Sequence, residues 1–247
     1  MKILILGHEG MLGSMLVSFF KNHHDVWITD QRFPSEEFNK DLLSFDGDFI
    51  INAIGSIPQK NNSFDVNIDL PIGLDKNLKI KIIHPGSDCE DDETEYGKSK
   101  KYASDFIKTE GVNTKILKCS IIGPEIKAHK SLFDWFLSSK DSVYGYTKVT
   151  WNGITTLEWA KQCYILMVKW NEYEKETIIE GTCISKFILL NLIKEVFNKK
   201  IEIIPDMSIV KDKCLIGHIR TIPIFDQLKE LKEHLYNEDA YTITSFG

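Results

Sequence analysis

The sequence predicts an α/β fold: a doubly wound parallel sheet with helices on both faces and a smaller lobe in the second half. Three observations carry that prediction. Short apolar runs alternate with helically spaced apolar residues through the first half, a glycine-rich turn joins the first run to the first helix, and the texture changes after Gly123-Pro124. Alternation of this kind calls for parallel strands joined by crossover helices that cover both faces of the sheet.

Lys2–Leu6 is a short continuous apolar run, the pattern of a strand buried on both faces. Met11–Phe20 follows as a helix, with Met11, Leu12, Met15, Leu16 and Phe19 at helical spacing. Val26–Thr29, Phe49–Ile54 and Ile80–His84 read as the next three strands, Thr94–Thr109 as a helix, and Ile116–Ile122 as a fifth strand. In the second half Leu132–Leu137 reads as a short amphipathic helix and Thr147–Trp151 as a short strand. Leu157–Lys169 is a helix with Leu157, Ala160, Tyr164 and Val168 on one stripe. Thr177–Glu180, a helix over Ser185–Phe197, Ile201–Ile204 and a charged helix over Phe225–Tyr236 complete the chain. No linker or repeat is visible. A single domain over 1–247 is expected, with about 1–124 as its core and about 125–247 as an interleaved lobe.

The 247 residues suffice for a sizeable core, and 43% hydrophobic with 27% charged residues is an ordinary globular composition. The net charge of −6 argues against nucleic acid or anionic lipid as partner. No apolar stretch approaches the length needed to span a bilayer, and the opening run is too short for a signal peptide. Cys89, Cys119, Cys163, Cys183 and Cys214 are scattered without a CxxC pair, so reduced thiols in a cytoplasmic protein are expected. The seven histidines form no metal pattern, and no metal is expected.

Gly7-His8-Glu9-Gly10-Met11-Leu12-Gly13 lies directly between the first strand and the first helix. In that context the glycines allow a tight turn, close approach of backbone to a pyrophosphate and close helix–strand packing. The N–H groups at the helix start, around Met11 and Leu12, then face the phosphates. This makes the sheet Rossmann-type, and the GxxGxxG spacing favours the short-chain reductase version. Asp30 ends the second strand, where an acid takes the adenosine ribose hydroxyls, whereas Arg32 suits a 2′-phosphate. Both NADH and NADPH therefore stay open.

Tyr96 and Lys100 project from one face of a helix at i, i+4 spacing. A nearby cation makes a tyrosine a usable acid–base group, and Lys100 supplies one. Ser87 at the end of the fourth strand adds a hydroxyl for a substrate carbonyl. In this constellation a nicotinamide delivers hydride, Tyr96 delivers the proton, and Ser87 with Lys100 positions and polarises.

With these motifs, the chain resembles an extended short-chain dehydrogenase/reductase of the dTDP-4-dehydrorhamnose reductase type. Its nearest branch is the one that reduces UDP-linked 2-acetamido-2,6-dideoxy-4-ketohexoses for surface polysaccharides. Phe49 through Gly55 resembles the third-strand segment that ends against the cofactor, which brings in Asn52, Ala53 and Ile54. Val66-Asn67-Ile68-Asp69-Leu70-Pro71 resembles the family's VNxxxP stretch. His84 through Cys89 resembles HxSTDC, with Ser87 on the catalytic threonine and Asp88 beside the substrate. Ser120 through Glu125 resembles a loop that closes over the nicotinamide and so includes Ile122. The segments Leu132–Leu137 and Trp151–Glu158 resemble LLxWFL and GxTTLE, which imply substrate contacts from Phe133, Trp151 and Asn152.

One departure stands out. Only Asp88–Glu95 separates Ser87 from Tyr96, where the family has a much longer loop. Within it Glu90-Asp91-Asp92-Glu93 reads as a solvated turn. The shortening leaves room for a homodimer in which a second subunit supplies the missing wall. The expected substrate is a UDP- or dTDP-linked 4-keto-6-deoxyhexose. The alternatives are a sugar-nucleotide epimerase or dehydratase of the same fold, and a non-catalytic NAD(P)-binding regulatory subunit.

Overall fold

The computed structural model describes residues 1–59, 63–127 and 129–237. The chain runs β1 (Lys2–Leu6), α1 (Met11–Phe20), β2 (Asp25–Ile28), α2 (Glu36–Ser44), β3 (Phe49–Asn52), α3 (Val66–Asn77), β4 (Lys81–Gly86), α4 (Glu95–Thr109) and β5 (Thr114–Lys118). It continues with β6 (Ile121–Ile122), α5 (Leu132–Ser138), β7 (Ser142–Trp151), β8 (Ile154–Thr155) and α6 (Thr156–Val168). The remainder is β9 (Glu176–Glu180), β10 (Ile184–Ser185), α7 (Lys186–Val196), β11 (Glu202–Lys213), β12 (Ile219–Arg220) and α8 (Ile224–Asn237). Seven strands form a sheet in the order β12-β9-β5-β4-β3-β1-β2, and every register described in it is parallel. Among the described residues no helix is long and apolar enough to cross a membrane.

The chain divides into two compact units, one of Met1–Cys119 with Ala160–Thr177 and one of Ser120–Trp159 with Ile178 onward. The first unit is the sheet core. Its central strands β1 and β3 are buried almost throughout, whereas the edge strand β2 is mostly exposed. The carboxyl ends of β1, β3 and β4 lead into the glycine loop, into Ala53-Ile54 and into Ser87, so all three candidate segments leave one edge of one sheet.

Two first-unit helices were not read from the sequence. In α2 only Phe38 and Leu42 are buried, too sparse an apolar stripe to announce itself, but Ser35 caps it by accepting from Phe38 N at 3.0 Å. In α3 the interior Pro71 works against a helical reading of the sequence. The fifth strand expected over Ile116–Ile122 is two strands. β5 belongs to the sheet, the chain breaks at Cys119-Ser120, and β6 pairs with β8 in the second unit.

In the second unit β7 and β11 are much longer than expected, and they pair in parallel from Glu202↔Ser142 to Lys213↔Trp151. The strand signal of β11 is masked by Pro205 and Asp206, tolerated because β11 is the edge of its three-stranded sheet β10-β7-β11. The expectation of five reduced thiols is corrected here. Cys183 and Cys214 form a disulfide, while Cys89, Cys119 and Cys163 are free. A separation of 31 positions gives no spacing signal. The sheet makes the bond: Cys183 precedes β10, Cys214 follows β11, and both neighbours, Ile184 and Lys213, pair with Trp151 of β7.

Candidate active site

The glycine loop is built as a cradle. Gly7 has φ 80°, and Gly10 N donates to Gly7 O at 2.9 Å, closing the turn. A Cβ on Gly13 would lie 2.1 Å from Gly7 O, so only glycine lets the first turn of α1 rest on the loop. The N-cap of α1 is Gly10, which has no side chain to occupy the first-turn N–H groups of this ten-residue helix. Leu12 is buried and Met11 half-buried beside it. Asp30 is exposed two residues beyond β2, with Oδ1 at 3.3 Å from His8 Nε2, and Arg32 is exposed. His8, a residue of the glycine loop given no role by the motif, thus stands beside Asp30.

At the end of β4, Ser87 is held from three sides. Its N–H donates to Glu90 Oε1 at 2.8 Å, its Oγ accepts from Cys89 N–H at 3.1 Å, and its Oγ lies 3.4 Å from Asp88 Oδ1. Tyr96 hydrogen-bonds the Ser87 side chain and stacks edge-on against Phe64 with ring centroids 5.7 Å apart. Burial pushes the Tyr96 phenol up to about 12, the Ser87 bond draws it back, and the nearby Cys89, Asp88 and Glu90 groups push it further up. Lys100 is buried, and its Nζ donates to Pro85 O at 2.8 Å and lies 3.4 Å from His84 Nε2. Burial draws Lys100 down to about 8, against an opposing pull from Glu90.

The acidic turn is not wholly solvated, which corrects the sequence reading. Glu90 is 3% exposed, accepts from Ser104 Oγ at 3.1 Å, and pairs with the buried Lys118 at 2.8 Å. The short loop fits because α4 carries Gly97 after Tyr96, where a Cβ would stand 2.3 Å from Cys89 O. Thr94 caps that helix by accepting from Gly97 N at 3.0 Å. The acidic run alone gives Glu90 no partner and nothing local marks Lys118, because the two lie on different elements far apart in sequence.

Asn52 is fully buried at the end of β3, with Ala53 and Ile54 half-buried after it. In the second unit Ile122 is buried and pairs with Thr155. Phe133 is buried with its ring 5.0 Å from that of Phe197. Trp151 is 2% exposed and donates from Nε1 to Ser120 Oγ at 2.7 Å. Asn152 clasps Leu215, donating to its carbonyl at 2.7 Å and accepting from its N–H at 2.9 Å. These three side chains take part in the packing of the second unit. Cys183, Asp212 and Cys214 also stand together, the two sulfurs being bonded to each other.

No protein-family model matches the sequence, and no curated protein matches it. Solved structures do share its fold. A dTDP-4-dehydrorhamnose reductase of Clostridium acetobutylicum superposes with TM-score 0.77 at 17% identity, over 96% of this chain and 100% of the other. A dTDP-4-dehydrorhamnose reductase of Bacillus anthracis in complex with NADP gives 0.75 at 12% identity, over 94% and 98%. A dTDP-glucose 4,6-dehydratase of the same organism in complex with NAD gives 0.73 at 14%, over 98% of each chain. The protein therefore has a doubly wound, Rossmann-type α/β fold. Within that class it is similar in structure to the dTDP-4-dehydrorhamnose reductases.

Proposed function

We propose that the protein is an NAD(P)H-dependent reductase of a nucleotide-linked 4-keto-6-deoxy sugar, its substrate carried on UDP or dTDP. The observation that carries the reading is the grouping of Ser87, Tyr96 and Lys100 at the end of β4, where the half-buried Tyr96 phenol hydrogen-bonds the Ser87 side chain. A phenol set beside a hydroxyl and a lysine in this way can give a proton to a carbonyl oxygen as that carbonyl is reduced. The Gly7–Gly13 cradle and the uncapped first turn of α1 fit a dinucleotide diphosphate, and Asp30 or Arg32 would meet its adenosine end. When bound, the dihydronicotinamide supplies hydride. Ser87 Oγ, oriented by Cys89 N–H, offers its hydroxyl to the carbonyl oxygen. Tyr96 gives the proton to that oxygen as the carbonyl becomes an alcohol, and Lys100 lies one helical turn further on. The similar folds of the Clostridium and Bacillus reductases support the substrate class.

The test is turnover of purified protein with NADH and NADPH against UDP-, dTDP- and GDP-linked 4-keto-6-deoxy sugars. Net oxidation of one cofactor is expected, and Tyr96→Phe should lose about 10²–10⁴-fold in kcat. Turnover that survives Tyr96→Phe unchanged overturns the assignment of the proton donor. Conversion without net cofactor consumption overturns the reductase reading itself.

A further inference from the structure

The hydrogen-bond pattern behind the candidate site determines where three protons sit. Ile54 N–H donates to Asn52 Oδ1 at 3.2 Å. A flipped amide would set an NH2 group against that N–H, so Asn52 Nδ2 is the end that faces His84 Nδ1, at 3.3 Å. Nδ1 of His84 must then be the acceptor. His84 is 1% exposed, and burial holds its ring well below the usual imidazole range, in the neutral form. A neutral imidazole that accepts at Nδ1 carries its proton on Nε2. This Nε2–H points at Lys100 Nζ, 3.4 Å away. An ammonium has three N–H donors and no acceptor, so it would present donor to donor there. An amine satisfies both contacts, accepting from His84 Nε2–H while donating to Pro85 O at 2.8 Å.

We propose that His84, locked by Asn52 in the tautomer protonated on Nε2, is a positioning residue that favours the amine form of Lys100 over the ammonium in the ligand-free protein. The other groups acting on Lys100 are few. Glu90, from the turn after β4, favours the ammonium but is itself paired with Lys118 of β5, and Tyr96 lies one turn earlier on α4. The consequence rests on the role given to Lys100 above: His84 and Asn52, neither of which need touch a substrate, set the alkaline limit of activity.

The experiment needs no substrate, so its failure is separate from failure of the reductase reading. Long-range 1H–15N correlation on histidine-labelled protein at pH 7 should show His84 with an unprotonated Nδ1 and a protonated Nε2. The opposite tautomer, or an imidazolium, overturns the proposal. With 15N-lysine labelling, and Lys100→Met to assign the signal, Lys100 should titrate near 8, well below the other lysines. Asn52→Leu frees the ring to change tautomer and turn a lone pair toward Nζ. It should raise the Lys100 midpoint by about a unit, tenfold in Ka, and His84→Phe tests the same donor by removing it. A Lys100 midpoint that stays in place in folded Asn52→Leu, or an ordinary lysine midpoint in the parent protein, overturns the proposal.

Discussion

Burial of the Lys100 amine and partial burial of the Tyr96 phenol leave a signature in folding stability. Lys100 is held down to about 8 in the folded state, against 10.5 when unfolded. Below pH 8 both states carry the proton and the folded protein bears the full cost of burying the charge. Between pH 8 and 10.5 the unfolded chain binds more protons, so stability rises with pH, by roughly 3 kcal/mol in all. Tyr96 acts oppositely: its folded value near 12 exceeds the unfolded 10, so stability is lost from pH 10 upward. Urea midpoints should therefore rise from pH 8 to a maximum near 10 and then fall. Lys100→Met should be more stable than the parent at pH 7 and lose the rise. A flat profile in the parent would contradict a buried, depressed Lys100.

At the scale of elements, the turn between β4 and α4 is the feature most particular to this chain. Glu90 folds back beneath Ser87 and binds its N–H, the Ser104 hydroxyl and Lys118 together. Removing one member of a buried pair strands the other, which typically costs about 3–5 kcal/mol. Glu90→Ala should show a loss of that order by chemical denaturation, and joint replacement of Glu90 and Lys118 by apolar residues should recover most of it. The sequence made part of this region legible. The apolar runs of β1, β3 and β4, the i, i+4 pair on α4 and Ser87 at a strand end all follow from local periodicity and spacing. The Glu90–Lys118 pair does not, because an acidic run looks like a solvated turn until the fold supplies a buried cation. The same holds for α2, whose two buried side chains leave no stripe, and for Asn152 and Trp151, whose partners Leu215 and Ser120 are set by tertiary packing.

Over the whole molecule, the two units differ in how they are held together. All three free cysteines, Cys89, Cys119 and Cys163, belong to the first unit, and the disulfide belongs to the second. Alkylation of the denatured chain should therefore label three thiols before reduction and five after it. Five labelled thiols before reduction would mean that the bond does not form in the purified protein. The bond also makes part of the polypeptide cyclic. The segment from Cys183 to Cys214, which contains α7 and β11, is a closed ring that survives loss of every hydrogen bond around it. Without a reductant, the denatured chain is a ring with two tails, smaller in hydrodynamic radius than the linear chain. It should run ahead of the reduced form on a denaturing gel.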